Sequence, residues 1–332
     1  TQEQFGALVG GYRDLLTETL GVKPMDRGKD NASVVKAHVL QWNKPPSVYL
    51  LEYSFEKENK GQGKAFQAEF VRLRVYPIPK QAMVSELGMR ANVPLSRESL
   101  VRNLRTEAGG DVVLRNVPMV DQGPKGYCVV ASCERVLRYL GLEVDQHEMA
   151  AVAESRAREG TSYLKMLEGL KRMTGRLKVR TREVLSWNGE EFERMLADYN
   201  RAAKKAKKAE INLAGLRVID LAEVYGAMDP VILKESRSAP GKAGYGKFQR
   251  AVAETLARGV PLLWTVELGL YEEPERPAQG RGGHMRLIIG YNSRTQEILF
   301  SDSWGERHAL KRMPMDCAYA MTTGMCFLEP IP

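Results

Sequence analysis

The chain has 332 residues, of which 43% are hydrophobic and 27% charged, and its formal net charge is +8. This composition is ordinary for a globular protein, and the length leaves room for about two domains. No stretch of the sequence has the length and apolarity of a membrane span, so we expect no integral membrane segment. A secreted or cell-envelope location is expected, with the cytoplasm as the alternative.

The positive charge limits the classes of partner. Lys and Arg are spread along the chain, and no basic stripe is interleaved with aromatic residues. We therefore expect no nucleic-acid partner, whereas electrostatic association with an anionic surface stays open. The densest basic run, residues 202–209, is interpreted as the solvated face of a helix, and a docking surface is the alternative.

The first part of the chain predicts one helix and a small sheet. Residues 1–20 repeat apolar side chains at helical intervals, and Gly21 provides a stop signal. Three strand-like runs follow, and a polar turn is expected between the second and the third. The runs cover residues 34–42, 49–55 and 71–75, and the turn covers residues 59–64. This pattern is typical of an antiparallel sheet with one solvated face.

A domain boundary is predicted where glycines interrupt the chain. A short helix is expected to begin near Pro94 and to end at Gly109 and Gly110. We therefore expect residues 1–109 to form an α+β accessory domain and residues 110–332 to form the domain that carries the chemistry. The sequence leaves the accessory domain three roles: substrate recognition, packing over an active-site cleft, or docking to a partner.

The most informative segment places Gln122 six positions before Cys128, across a loop that contains Gly and Pro. An apolar, helix-like run begins at the cysteine and stops at Gly141. A thiol at a helix start ionises more easily, because the unpaired backbone N–H groups there favour an anion. An amide beside that thiol can stabilise the oxyanion that forms when a thiolate attacks a carbonyl. We therefore expect Cys128 to be a nucleophile and Gln122 an oxyanion donor.

More helices are predicted after this segment. One begins at Asp145, where Glu148 completes the spacing of a capping box. Others are expected at residues 163–173, 190–210 and 245–258. A strand at residues 262–266 then leads into a polar loop at residues 272–283, whose Gly and Pro content makes it a candidate active-site rim.

The sequence ends in strands, and two of them carry further candidate residues. His284 opens one apolar strand and Asp302 closes the next. The polar residues 292–296 between them predict a hairpin, which would bring the imidazole and the carboxylate together. The order Cys, His, Asp suits a thiol nucleophile, a base and a carboxylate that orients the base. Later strands are expected near Leu310 and at residues 326–328.

Together these motifs resemble the papain-like cysteine peptidase superfamily. The spacing from Gln122 to Cys128 is the one this superfamily uses, and residues 302–305, Asp-Ser-Trp-Gly, are similar to its Asn-Ser-Trp-Gly motif. Asp302 in place of Asn resembles instead the C39-like branch, which is bacterial. Val129, where papain-type enzymes have Trp, also separates the chain from close papain relatives. The resemblance extends over about residues 110–330, whereas the first hundred or so residues resemble no family we can name.

The resemblance implies an α+β fold with two lobes, in which a helical lobe carries Cys128 and an antiparallel β lobe carries His284 and Asp302. It implies a triad of these three residues, with Gln122 in the oxyanion hole. Trp304 would then shield the contact between imidazole and carboxylate from water. The implied substrate is a peptide or protein, and no metal or other cofactor is expected.

The remaining cysteines have no zinc-type spacing. Cys133 is interpreted as a small buried residue of the helix. Cys317 and Cys326 flank a predicted turn at residues 322–324, and they either form a disulfide, if the protein is exported, or remain packed thiols. Three further histidines are assigned structural or surface roles: His38, His147 and His308.

Two other functional classes stay open. A transglutaminase-like or deamidating enzyme would use the same Cys-His-Asp logic, and the products formed with an amine acceptor distinguish it from a peptidase. A binding protein on the same fold, without catalytic power, is the second alternative. Its Cys128 would react with a thiol-directed inhibitor no faster than an ordinary thiol.

Overall fold

The computed structural model describes residues 1–30, 37–56, 66–77, 95–122, 127–142, 144, 163–172, 177–186, 188–214, 219–273 and 275–331. Three predictions fall outside these ranges: the turn at residues 59–64, the helix that begins at Asp145, and the role of His147. Within the described residues, no helix combines the length and the apolarity needed to cross a membrane.

The N-terminal region is one helix and a four-stranded antiparallel sheet. Its elements are α1 (Gln2–Leu20), β1 (Met25–Asp30), β2 (Ala37–Lys44), β3 (Ser47–Glu56) and β4 (Gln67–Pro77), with the strands in sequence order. A capping box at Thr1 begins α1, and Gly21 ends it with a φ of 65°. The predicted helix and three strands are confirmed where described. Strand β1 was not predicted, because its sequence is polar and lacks apolar alternation.

A second antiparallel sheet contains the other eight strands. They are β5 (Leu104–Thr106), β6 (Asp111–Leu114), β7 (Val179–Leu185), β8 (Leu262–Leu268), β9 (Gly282–Asn292), β10 (Glu297–Ser301), β11 (Lys311–Pro314) and β12 (Thr322–Pro330). The main order is β11-β10-β9-β8-β12-β7, and β6 pairs with both β5 and β9. The predicted hairpin of β9 and β10 is confirmed, since Glu297 pairs with Asn292.

Helices cover both faces of this sheet. They are α2 (Arg97–Val101), α3 (Cys128–Tyr139), α4 (Tyr163–Arg172), α5 (Gly189–Lys205), α6 (Leu221–Ala227), α7 (Pro230–Ser238), α8 (Ala243–Leu256) and α9 (Met315–Met321). Consecutive strand residues point to opposite faces, so Leu262 joins the core under α8 while Leu263 joins the core under α3. Helices on antiparallel sheets confirm the predicted α+β class.

Several boundaries differ from the predictions. The helix near Pro94 ends at Val101 rather than at Gly109, because β5 begins three residues later. The polar helix ends at Lys205, so the basic run continues past its end, with Lys207 at a φ of 57°. The predicted turn at residues 322–324 is wrong, because α9 leads directly into β12. The strand β7 and the short helices α6 and α7 were not predicted.

The domain boundary at residues 109 and 110 stays a prediction. Strands β5 and β6 pair with each other on either side of it, with Leu104 opposite Leu114. The N–H of Leu95 also donates to the carbonyl of Leu140, at the end of α3. Residues from 95 onward therefore contact the elements that hold the candidate site.

Candidate active site

Cys128 is the first residue of α3, and it lies half-buried at the N-terminus of that helix. The next residues, Val129, Val130 and Ala131, are buried, which fixes the helix against the sheet. The N-cap residue of α3, Tyr127, makes no side-chain hydrogen bond to the first turn. Backbone N–H groups at the start of a helix favour an anion, which here would lie near the sulfur.

His284 and Asp302 meet at the end of the β9–β10 hairpin. His284 Nε2 lies 3.2 Å from Asp302 Oδ1, and both side chains are fully buried. A carboxylate only accepts hydrogen bonds, so Nε2 carries the proton and donates it to Asp302. This arrangement leaves Nδ1, which has no hydrogen-bond partner within normal distance among the described residues.

Cys128 and His284 shift each other's pKa. Burial alone raises the pKa of the Cys128 thiol, but the His284 imidazole and the backbone N–H groups near it outweigh that effect, so the pKa is lowered. Burial alone lowers the pKa of His284, but Asp302 on one side and Cys128 on the other reverse this, so the pKa is raised. Both shifts favour a thiolate beside an imidazolium.

Trp304 covers the imidazole. Its ring stacks on that of His284 with the centroids 4.2 Å apart and the planes 9° from parallel. The ring of His308 packs edge-on against Trp304, with the two centroids 5.7 Å apart. A ring at this position excludes water from one face of the imidazole and is attracted to it when it is charged.

Two buried cations also contact Asp302. Arg286 Nε lies 2.8 Å from Oδ1 and Lys311 Nζ lies 3.2 Å from Oδ2. Both cations also form ion pairs with Glu273, and the distance from Arg286 Nη2 to Glu273 Oε1 is 2.8 Å. Burial alone raises the pKa of Asp302, but Arg286, His284 and Lys311 hold it well below its usual range. The two carboxylates and two cations thus form a buried network of balanced charge, and Asp302 stays ionised.

Helix α3 is attached to the strands that lead from His284 and into Asp302 by side chains that share a face with Cys128. Ser132, one turn on, donates to the carbonyl of Met285 at 3.3 Å. Arg135, two turns on, donates to the carbonyl of Asp302 at 2.9 Å and to Ser301 Oγ at 2.5 Å. These buried contacts fix the helix of the thiol relative to the hairpin of the imidazole.

Gln122 lies beside the same strand end. Its N–H donates to the carbonyl of Ser303 at 2.8 Å, and its side-chain Oε1 accepts from the Ser303 hydroxyl at 2.7 Å. Oε1 is therefore engaged by Ser303, and the amide group of the same side chain is oriented as a consequence. The loop that joins Gln122 to Cys128, residues 123–126, lies outside the described residues.

The other sulfur atoms differ from Cys128. All four cysteines are free thiols, so Cys317 and Cys326 are not joined by a disulfide. Both are buried, Cys317 in α9 and Cys326 in β12. Cys133 is fully buried as predicted, and burial raises its pKa well above the ordinary value.

Sequence reasoning missed four charged residues around Asp302: Arg135, Glu273, Arg286 and Lys311. Arg286 gave a usable signal, because it is a lone cation in an otherwise apolar strand, two positions after His284 and on the same face of the sheet. Arg135 gave a weaker one, seven positions after Cys128. Glu273 and Lys311 resemble ordinary surface residues in the sequence, and only the fold brings them together.

Comparison with known proteins decides the family. Residues 114–325, more than half of the chain, match the model of the Peptidase_C39 like family. The chain belongs to this family. The C39-like resemblance expected from Gln122, Cys128, His284 and Asp302 is therefore confirmed at the level of the family. No curated protein matches this C39-like chain.

Solved structures similar to the C39-like chain include two peptidases. The peptidase domain of Streptococcus ComA, a bi-functional ABC transporter involved in a quorum sensing pathway, is 14% identical, with 65% of this chain and 99% of that domain covered and a TM-score of 0.32. Xylellain, a cysteine protease from Xylella fastidiosa, is 13% identical, with 77% and 95% covered and a TM-score of 0.30. Both TM-scores lie below 0.5, so neither likeness carries weight for the fold or the chemistry.

Proposed function

We propose that this C39-like chain is a cysteine peptidase that hydrolyses peptide bonds with Cys128 as nucleophile, His284 as base and Asp302 as the orienting carboxylate. One observation carries the proposal. The His284 imidazole and the Cys128 thiol are near enough to shift each other's pKa, and Nε2 of the imidazole is occupied by the Asp302 carboxylate at 3.2 Å. The nitrogen that is left for the sulfur is therefore Nδ1.

The chemistry follows from this arrangement. His284 Nδ1 takes the proton of Cys128, and the thiolate attacks the carbonyl carbon of the scissile amide. The tetrahedral intermediate collapses as Nδ1 returns the proton to the leaving amine, which leaves a thioester on Cys128. Water, deprotonated by the same imidazole, attacks the thioester and releases the acid and the free thiol. Throughout, Asp302 stabilises the imidazolium and holds its ring orientation.

The oxyanion is the remaining charge to be stabilised. The N–H groups at the start of α3 and the amide group of Gln122 are the donors we assign to it. The hydrogen bond from Ser303 to Gln122 Oε1 supports this role, because an anchored carbonyl fixes the direction of the amide N–H groups. We expect Gln122→Ala to slow turnover by roughly 100- to 1000-fold without unfolding the protein.

Site-specific alkylation tests the thiol. Iodoacetamide at neutral pH should label Cys128 much faster than Cys133, Cys317 and Cys326, which are buried and serve as internal controls in the same sample. His284→Ala should slow the labelling of Cys128 to the rate of an ordinary accessible thiol, while the buried cysteines stay slow. Labelling of Cys128 in wild type at the rate of an ordinary thiol would contradict an activated nucleophile and would favour a binding protein on the same fold.

Product analysis tests the reaction. A peptide library should yield new amino termini with wild type and none with Cys128→Ala. Adding an amine acceptor separates the alternatives, because a transglutaminase-like enzyme transfers the acyl group to the amine and a deamidating enzyme releases ammonia. Either of those products, in the absence of new amino termini, would replace peptide hydrolysis as the activity.

A further inference from the structure

A second buried carboxylate lies close to the candidate active site. Glu267 is in β8, directly opposite Gly283 of β9, the residue before His284. The side chain of Glu267 has no role in the mechanism above, and Glu267 is only 5% exposed. Buried carboxylates normally have a cation or several hydrogen-bond donors as partners.

Glu267 lacks such partners within the described part of the chain. Its Oε2 has no hydrogen-bond partner there, and no basic side chain forms an ion pair with it. Burial, with the nearby negative charge of Asp220 as a smaller contribution, raises the pKa of Glu267 to about 7. Asp220 caps the N-terminus of α6 and is itself an anion, so it adds negative charge near Glu267 and supplies no counterion. The protein thus holds a carboxylate that would be more stable with a cation beside it.

Gly283 leaves one side of this carboxylate open. Gly283 is exposed although the residues that follow it in β9 are buried. A Cβ at this position would lie 3.5 Å from Glu267 Oε1, so the absence of a side chain brings incoming groups to van der Waals distance of the carboxylate. The approach to Glu267 therefore lies over Gly283, the residue that precedes His284 in the strand.

We propose that Glu267 and Gly283 form a substrate subsite that accepts a cationic side chain, Lys or Arg, near the scissile bond. The inference rests on the proposed peptidase function and adds a substrate class to it. A peptide bound across the start of β9 passes Gly283 on its way to Cys128 and His284. A basic side chain that enters beside Gly283 meets the unpartnered carboxylate and supplies the missing ion pair, in a place where little water competes.

Binding to an inactive variant tests the subsite separately from catalysis. The full-length Cys128→Ala variant would be titrated, at about pH 8 where Glu267 is ionised, with peptides that differ only in Lys or norleucine at one position. Norleucine matches the length of the Lys stem and lacks the charge. At one position in the peptide, we expect the Lys peptide to bind roughly tenfold more tightly than the norleucine peptide.

Paired variants assign the preference to Glu267. Adding Glu267→Gln should remove the difference between Lys and norleucine. Adding Glu272→Gln, which removes an exposed carboxylate and changes the net charge equally, should preserve it. Gly283→Val provides a second route, because its side chain closes the approach while Glu267 stays in place. No preference for Lys at any position, or a preference that survives both Glu267→Gln and Gly283→Val, would overturn the subsite.

The outcomes separate the two proposals. A Lys preference that depends on Glu267, in a protein whose wild type cleaves no peptide, would support the subsite and contradict the peptidase. Cleavage without any such preference would support the peptidase and overturn the subsite.

Discussion

Arg135 Nη1 donates a hydrogen bond to the backbone carbonyl of Asp302 across 2.9 Å, and so joins the helix that begins at Cys128 to the strand end that carries the carboxylate. The same guanidinium donates to the carbonyl of Pro118 and to Ser301. Arg135 is fully buried, and burial lowers its pKa to about 10, so it remains charged at neutral pH. One side chain therefore fixes three separate segments of the chain around the candidate site.

Replacing Arg135 by Met should destabilise the protein strongly. The substitution keeps the apolar stem and leaves the buried carbonyl of Asp302, the partly buried carbonyl of Pro118 and a buried hydroxyl without this donor, at a cost of roughly 3–5 kcal/mol in the free energy of unfolding. Urea denaturation measures this cost. Arg250→Met, at an exposed position of α8, is the control and should change the free energy by less than about 0.5 kcal/mol. A loss below about 1 kcal/mol for Arg135→Met would show that these contacts stabilise little.

Asp302→Asn should change the pH profile of the thiol. Without the negative charge the imidazolium is less stable, so the pKa of His284 falls and the pKa of Cys128 rises toward that of an ordinary thiol. Alkylation of Cys128 should then slow by about tenfold at pH 6 for each unit of thiol shift and change little at about pH 9. We also expect kcat/KM to fall by roughly 100- to 10 000-fold.

Glu273→Gln is the matched control for that experiment. It removes one negative charge from the same buried network, but Glu273 pairs with Arg286 and Lys311 rather than with His284. Its thiol profile should stay close to that of wild type. A profile that moves equally in both variants would point to a general loss of the network instead of a direct effect on the imidazole.

Trp304 should contribute to turnover through its ring. Trp304→Phe keeps an aromatic face over His284, whereas Trp304→Ala removes the stacking contact and admits water to the His284–Asp302 hydrogen bond. The alanine variant should lose roughly tenfold in kcat/KM and the phenylalanine variant much less. Steady-state assays of both, alongside their melting temperatures, check this expectation. Equal activity in all three proteins would contradict it.

Glu267 should make stability fall as the pH rises. The ordinary pKa of a glutamate is 4.5 and the folded protein raises that of Glu267 to about 7. Between these values the folded state binds more protons than the unfolded state, so the free energy of unfolding decreases as pH rises through the window and levels off above it. Glu267→Gln lacks this titration.

The measurement is urea denaturation of both proteins between about pH 5 and about pH 8. As the pH rises through this range, the free energy of unfolding of Glu267→Gln should increase relative to that of wild type. Glu272→Gln, at an exposed position, should track wild type at every pH. A constant difference between Glu267→Gln and wild type would mean that Glu267 has the same pKa in the folded and unfolded states.

Gly259 should tolerate no side chain. Its φ is 75°, and a Cβ would overlap the backbone of Leu100 and Val101. Gly241 has a similar φ of 86° with open space around the same position. Gly241→Ala should therefore cost about 1 kcal/mol from backbone strain alone, and Gly259→Ala about 3 kcal/mol or more. Chemical denaturation measures the free energy of unfolding of both variants. Equal losses would show that α2, which contains Leu100 and Val101, shifts to make room for the new side chain at little cost.

The parts of the site that sequence predicts are those encoded locally. The start of α3 at Cys128 shows as the onset of an apolar helical pattern, and the pairing of His284 with Asp302 follows from one short turn between two apolar strands. The geometry that results still leaves the catalytic roles as predictions. Family membership, in contrast, follows from the wider match across residues 114–325.

The parts that sequence could not predict depend on distant segments or on weak local patterns. Glu273 lies in the loop before β9 and contacts Arg286, and Lys311 lies in β11 and contacts Asp302. Neither contact can be recognised from the sequence, because the assembled sheet brings these residues together. Strand β1 is polar and β5 is only three residues long, and both form because a neighbouring strand supplies their hydrogen bonds. Residue propensity for the β conformation is a poor predictor of strands that form mainly by pairing with a neighbouring strand.

The hairpin of β9 and β10 carries two of the three proposed catalytic groups, and α3 carries the third. Imidazole and carboxylate are carried by one hairpin, whereas the sulfur belongs to a separate helix. A small slide of α3 along the sheet would change the distance from sulfur to nitrogen and leave the distance from nitrogen to oxygen as it is. Loss of the hydrogen bonds of Ser132 and Arg135 that hold α3 to the hairpin should therefore lower the reactivity of the thiol first, in a chain whose backbone is still folded.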